Sequence, residues 1–227
     1  MNLSAVVTGG SDGVGKALVV ELARNRCKVI TIGRDIEKLN EVKRQFPALI
    51  ATCTGDLTNS KDIKDFIQTV NTNFEQIDLL INNAGFQIGN NLLKDASLVD
   101  LQKMINIHVM VPLSLYQAFF SRMKPQCIIM NIISNTVNNY LKDTYGPYTI
   151  SKYAEYGLGK MMIKEGSKNN IRVTNVILGG VETNIRNSPR PDYLKPKEVA
   201  KSIIPLLQIP DSVFIPEICI YPKINTR

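Results

Sequence analysis

A single histidine, His108, stands in this chain of 227 residues, and its four cysteines form no CxxC pair. Other things are scarce too, and each scarcity excludes something. No apolar run approaches the roughly 18 residues needed to cross a bilayer, so no membrane span is expected. Apolar residues begin at Leu3, a glycine turn interrupts them by Gly9, and no basic segment precedes them, so no signal peptide is expected. Cys27, Cys53, Cys127 and Cys219 are far apart. They read as buried reduced thiols and suggest no metal site, which fits a cytoplasmic protein. The net charge is +7, from 27 Lys and Arg against 20 Asp and Glu, with no basic run and no aromatic-basic module. That pattern argues against nucleic acid as a partner and for a solvated surface tuned toward anionic ligands.

What is present suits an ordinary soluble globular protein: 44% hydrophobic and 21% charged residues, with no repeat, low-complexity tract or linker. A single domain over residues 1–227 is expected. Short apolar runs at 5–8, 29–32, 49–52, 79–82, 127–132, 172–177 and 214–220 read as strands buried on both faces. Helical patterns lie between them near 14–25, 35–46, 59–74, 97–122, 149–168 and 196–208, with Asp56 and Thr58 as caps before the third. This alternation predicts an α/β fold, a doubly wound parallel sheet of about seven strands flanked by helices. In such sheets ligands bind beyond the carboxyl ends of the strands, where strand order reverses. Gly9–Gly15, Asn82–Gly85, Ser134 and 178–183 all follow strands, so they are expected to line one crevice.

Thr8 to Gly15 reads TGGSDGVG, which fits two motifs. One is the Gly-x-Ser-x-Gly elbow of a serine hydrolase, which needs a base and earlier strands to build an oxyanion hole. Ser11 follows the first strand, and His108 lies in the apolar helical stretch INIHVMV, where a satisfied structural role is expected. The hydrolase reading fails. The other motif is a phosphate-binding turn. Gly9 allows the tight turn, Gly13 lets backbone amides approach a pyrophosphate, and Gly15 lets the helix pack closely, its positive end facing the anion.

Tyr148 and Lys152 stand at i and i+4, one helical turn apart on one face. A fixed ammonium favours phenolate and so readies the tyrosine for proton transfer. Tyr156 and Lys160 repeat the spacing, but only Tyr148 has Ser134 upstream at a strand end, able to bond the same substrate oxygen.

Thr8-Gly9 with Gly13 and Gly15, Asp56-Leu57, Asn82-Asn83-Ala84-Gly85, Asn106, Ser134, Tyr148 and Lys152 occur in that order. Over nearly its full length the chain resembles a short-chain dehydrogenase/reductase of the compact type. The resemblance implies a Rossmann-type fold, a nicotinamide cofactor and a small-molecule carbonyl or alcohol substrate. It implies that Tyr148 is the acid/base, Ser134 orients the carbonyl, Lys152 holds the ribose and lowers the tyrosine pKa, and Asn106 positions a relay water. It also implies that the cofactor is held by Gly9, Ser11, Asp12, Gly13, Val14, Gly15, Asp56, Leu57, Asn83, Ala84, Gly85, Val181 and Thr183, besides Tyr148 and Lys152. Taken alone, Asn106 reads as a helix-interior amide, and Asp56 reads equally well as a helix cap. Homodimers or homotetramers through helices 97–122 and 149–168 are a further expectation of the resemblance.

After the second strand comes Gly33-Arg34, where an NAD-selective enzyme usually carries a carboxylate. Arg34 offers a planar fork suited to a 2′-phosphate, so NADP(H) is expected over NAD(H). Asp12 and Asp35 count against that choice. Leu178-Gly179 replaces the usual Pro-Gly, which suggests a less rigid turn, and the segment after Thr183 is short, leaving little room for substrate-covering helices. Three alternatives stay open. A 3-oxoacyl thioester reductase could use Arg186 and Arg190 toward an acidic carrier. A nucleotide sensor without turnover would have no need of Tyr148, and a sugar-nucleotide epimerase would need a longer substrate domain.

Overall fold

A computed structural model describes residues 1–89, 91–138, 141–183 and 192–223. Seven strands, β1 (Ser4–Thr8), β2 (Lys28–Gly33), β3 (Ile50–Thr54), β4 (Ile77–Asn82), β5 (Met123–Ser134), β6 (Arg172–Leu178) and β7 (Glu217–Ile220), form one sheet. The order is β3-β2-β1-β4-β5-β6-β7, and every pairing is parallel. Strand order therefore reverses between β1 and β4, as the doubly wound expectation requires.

The strands are long in buried β-branched residues because helices cover both faces. On one side α1 (Gly13–Arg24), α2 (Ile36–Gln45) and α7 (Pro196–Ile203) pack Leu18, Leu22, Val42, Val199 and Ile203 against Ala5, Val7, Val29 and Ile81. On the other, α3 (Ser60–Asn73), α5 (Val111–Phe119) and α6 (Gly146–Gly166) bring Phe66, Val70, Leu115, Phe119 and Met162 onto Val6, Ile30, Leu80 and Ile129. Each fully buried side chain of this kind contributes roughly 1.5–3 kcal/mol. Among the described residues, no helix is long and apolar enough to cross a membrane.

A polar row interrupts this apolar sheet. Asn82, Asn131 and Asn175 are cross-strand partners on β4, β5 and β6, and all three are buried. Asn82 Nδ2 donates to Asn131 Oδ1 at 2.8 Å, and Asn131 Nδ2 donates to Asn175 Oδ1 at 3.1 Å.

Three details differ from the sequence reading. The stretch 97–122 is not one helix: α4 (Leu98–Ile105) passes into a π-helical turn, Asn106–Met110, before α5. The cap of α3 is Asn59, whose Oδ1 accepts from Lys61 N and Asp62 N, whereas Asp56 and Thr58 shape the turn before it. Of 214–220 only Glu217–Ile220 pairs as strand.

Candidate active site

β1 and β4 end side by side at the reversal, and their continuations are laced together. Thr8 Oγ1 accepts from Asn83 N and Ala84 N, both at 3.0 Å, and Asn83 Nδ2 donates to Thr8 O at 2.9 Å. The chain after β1 then turns through two left-handed glycines, Gly9 at φ +72° and Gly13 at φ +55°, a region that L side chains rarely adopt. At Gly15 a Cβ would stand 2.1 Å from Gly9 O, so any side chain there would push α1 away from the loop. Gly33 serves similarly, since its Cβ would fall 2.7 Å from Ser11 Oγ.

These turns floor a cleft of about 570 Å³, within the usual range for a small-molecule site. Of the residues singled out in the sequence, Gly9, Ser11, Asp12, Gly13, Val14, Arg34, Asp56, Leu57, Asn83, Ala84 and Gly85 line it, and so do Ser134, Tyr148, Lys152, Val181 and Thr183. Gly15 and Asn106 do not. Gly15 works from behind, by bringing the α1 terminus close. The side chain of Asn106 is turned away, with Oδ1 accepting from Gln102 Nε2 at 2.9 Å, and its carbonyl takes the Val111 N–H that closes the π-turn. Arg186 and Arg190 lie outside the described residues.

Ser134 ends β5, and Tyr148 stands near the start of α6, where Gly146-Pro147 opens the helix. Lys152 is buried, and its ammonium stands 5.9 Å from the centre of the Tyr148 ring. The second Tyr-x-x-x-Lys pair is elsewhere: Tyr156 packs on Ile133, Val137 and Ile177, and Lys160 is exposed over the Tyr156 ring.

Two neighbours of Lys152 escaped the sequence reading. Glu155, also buried, accepts from the Lys152 ammonium at 2.6 Å. Burial works most strongly against the Lys152 charge, but the Glu155 carboxylate and the Tyr148 phenol together outweigh it and hold the ammonium above its usual range. The signal was the Lys-x-x-Glu spacing. The second is His108, which lines the cleft, stacks edge-on to Tyr148 at 5.9 Å and has one ring nitrogen without a partner. Its expected role as a satisfied structural residue is only half met.

The acidic residues near the glycine loop are engaged. Asp12 caps α1 by accepting from Gly13 N at 2.7 Å and pairs with Lys38 at 2.6 Å. Asp35 caps α2, accepting from Glu37 N and Lys38 N. Asp56 Oδ1 accepts from Thr58 N and Oγ1, both at 2.8 Å, so it serves its own turn while lining the cleft. Exposed Arg34 lines the same end. After β6, Gly179 N donates to Ile220 O at 2.9 Å, which ties the Leu178-Gly179 turn to β7.

A glycine floor that any Cβ would fill, a helix terminus and an exposed guanidinium fit a phosphate-bearing ligand of dinucleotide length. The phenol, hydroxyl and ammonium that line the same cleft fit proton transfer at an oxygen.

The family model for short chain dehydrogenases matches residues 4–194. An uncharacterized oxidoreductase of Staphylococcus saprophyticus is 29% identical over 229 residues, covering 96% of each protein. A metagenomic short-chain oxidoreductase solved in complex with NADP superposes with a TM-score of 0.85 at 27% identity, covering 98% of each chain. The 3-ketoacyl-(acyl-carrier-protein) reductase of Brucella melitensis, complexed with NADH, shares the fold: its TM-score is 0.89 at 18% identity, over 97% of each chain.

Proposed function

We propose that this chain, an oxidoreductase that belongs to the short-chain dehydrogenase family, interconverts a carbonyl and a secondary alcohol with NADP(H), as one domain over residues 1–227. The observation that carries the reading is that Ser134, Tyr148 and Lys152 all line the one glycine-floored cleft.

The hydride is the part supplied by the nicotinamide of a bound NADP(H). The residues of the chain do the rest. The α1 terminus and its glycine loop take the pyrophosphate, with Val181 and Thr183 at the nicotinamide end. Ser134 donates to the substrate oxygen and aligns it with the phenol. Tyr148 gives its proton to that oxygen in reduction and takes it back in oxidation. Lys152 stabilises the phenolate left behind and binds ribose hydroxyls. Asn106 contributes through the π-turn it opens, since its side chain faces Gln102.

Arg34 favours the phosphorylated cofactor. The objection raised by Asp12 weakens because Lys38 pairs with that carboxylate, so cation and anion sit together beside the ribose end. A charge-assisted contact is worth about 1.5–3 kcal/mol, or roughly tenfold to a hundredfold in affinity. Arg34→Ala is therefore expected to weaken NADPH about tenfold, the lower end suiting an exposed side chain, and barely to touch NADH. Fluorescence titration with both cofactors checks this, and equal losses would refute the assignment.

The fold shared with a 3-ketoacyl reductase keeps 3-oxoacyl thioesters among candidate substrates. Exposed Met110, Ile150, Tyr153 and Met161 on the π-turn and α6 suit pairing with a second copy. NADPH oxidation across ketones, aldehydes and 3-oxoacyl thioesters tests the whole reading. Binding of NADPH without turnover on any of them would favour a sensor.

A further inference from the structure

The π-turn Asn106–Met110 sets His108 among residues of the catalytic wall without exposing it: the side chain is fully buried. Its Nδ1 lies 2.9 Å from Ser151 Oγ, and the Ser151 hydroxyl donates to the Tyr148 carbonyl at 2.7 Å. A hydroxyl has one hydrogen to give. With that hydrogen on Tyr148 O, Ser151 Oγ can only accept from the imidazole. The network thus assigns the ring proton to Nδ1 and leaves Nε2 a bare lone pair. Burial first, and the Lys152 charge second, push the His108 pKa well below its ordinary 6.5, so the ring is neutral and Nε2 accepts. Nε2 is buried and has no partner.

A donor stands nearby. A Cβ placed on Gly85 would lie 2.8 Å from His108 Nε2 and 3.7 Å from Lys152 Nζ, so lone pair and ammonium flank the same piece of wall. Lys152 has three hydrogens, and Glu155 takes one. Phe86 and Tyr148 close on the imidazole with ring centres at 6.3 and 5.9 Å, which limits the opening to something small. The titratable groups facing His108 are Lys152 and Tyr148 on α6, with Glu155 beyond Lys152. The Gly85-Phe86 segment adds none.

We propose that His108 is a positioning residue of the reaction: its Nε2 and the Lys152 ammonium hold one water between them beside Gly85. That water fixes the ammonium on the phenol side of the cleft. The inference rests on the roles given to Tyr148 and Lys152 above. It converts a buried unsatisfied acceptor into a second anchor of Lys152, beside Glu155.

Because the chain has one histidine, ¹⁵N-histidine labelling yields a single imidazole that can be followed without any turnover. The expected spectrum has a protonated Nδ1, a bare Nε2 in the range of a hydrogen-bonded acceptor, and no titration across neutral pH. Lys152→Met combined with Glu155→Gln, which strands no charge, should move Nε2 toward the value of a free lone pair. An Nε2 resonance that ignores this double change overturns the proposal. In kinetics, His108→Phe should lower kcat about tenfold, the scale of one hydrogen bond to a charged group, with NADPH affinity within about twofold. His108→Gln puts an amide oxygen near the Nε2 position and should recover most of the loss. Unchanged kcat in His108→Phe overturns the proposal. So does a tenfold loss of NADPH affinity, which would make a cofactor hydroxyl the donor. If the Phe variant does not fold, the ¹⁵N comparison and the Gln variant still decide. A wild type inactive on every carbonyl would defeat the assigned reaction, yet the ¹⁵N comparison would still test the bridge.

Discussion

Tyr148→Phe is expected to reduce turnover by roughly 10²–10⁴-fold, the usual contribution of a positioned proton donor. The ring is held by contacts that do not involve its oxygen: His108 meets it edge-on at 5.9 Å, and Tyr145 does so at 6.4 Å. Removing the hydroxyl therefore leaves cleft shape and cofactor affinity nearly unchanged. Steady-state kinetics beside NADPH titration separate the two effects. Turnover close to wild type would eliminate Tyr148 as the acid/base. Tyr156→Phe, outside the cleft, should have little effect on rate.

Glu155→Ala is expected to be among the most destabilising single substitutions in the protein. It strands the buried Lys152 ammonium, and breaking one partner of such a pair costs about 3–5 kcal/mol. For a chain of this length each kcal/mol lowers Tm by roughly 2–4 °C, so thermal unfolding reads the loss directly. Glu155→Gln, which still accepts a hydrogen bond, should cost much less. Its effect on chemistry follows from the same pair. Without the carboxylate, burial is left to lower the Lys152 pKa, so the alkaline limb of the pH–rate profile of the Gln variant should move to lower pH. An unmoved profile would leave Glu155 a purely structural partner. As for stability, the Lys152 pKa lies above its usual 10.5, so the lysine's contribution is present below that pH and is lost as pH rises through the raised value. Burial also raises the Glu155 pKa, so in acid the carboxylate takes up a proton earlier than a free one and the ion pair is lost there.

The strands were legible because a strand covered on both faces reads as a mostly apolar run without polar alternation, and five of the seven, β1, β2, β4, β5 and β6, are buried along most of their length. The glycine loop was legible because φ near +60° demands residues that few other structures need, as at Gly9 and Gly13. His108 was not legible, because INIHVMV looks like ordinary helix. Only the extra residue of a π-turn decides which side chains face the cleft, and no local pattern announces it. Glu155 was missed for another reason. Lys and Glu three apart on a helix usually form a solvated pair, and burial under the sheet is a tertiary fact. Asn106 shows the converse: an amide read into the site through resemblance spends its side chain on Gln102, one turn back.

The asparagine row through β4, β5 and β6 has a consequence for height rather than for packing. Most neighbours of Asn131 on β5 are isoleucine or methionine, so an alignment slipped by two residues would bury nearly the same surface and look equally good to the hydrophobic effect. It would, however, strand amides at about 1–3 kcal/mol each. The three asparagines thus act as a vernier. They hold Ser134, three residues beyond Asn131, level with Asn83–Gly85, which begin one residue beyond Asn82. Under the proposed reaction, the hydroxyl that meets the substrate oxygen is calibrated from inside the sheet, by buried residues that do not line the cleft.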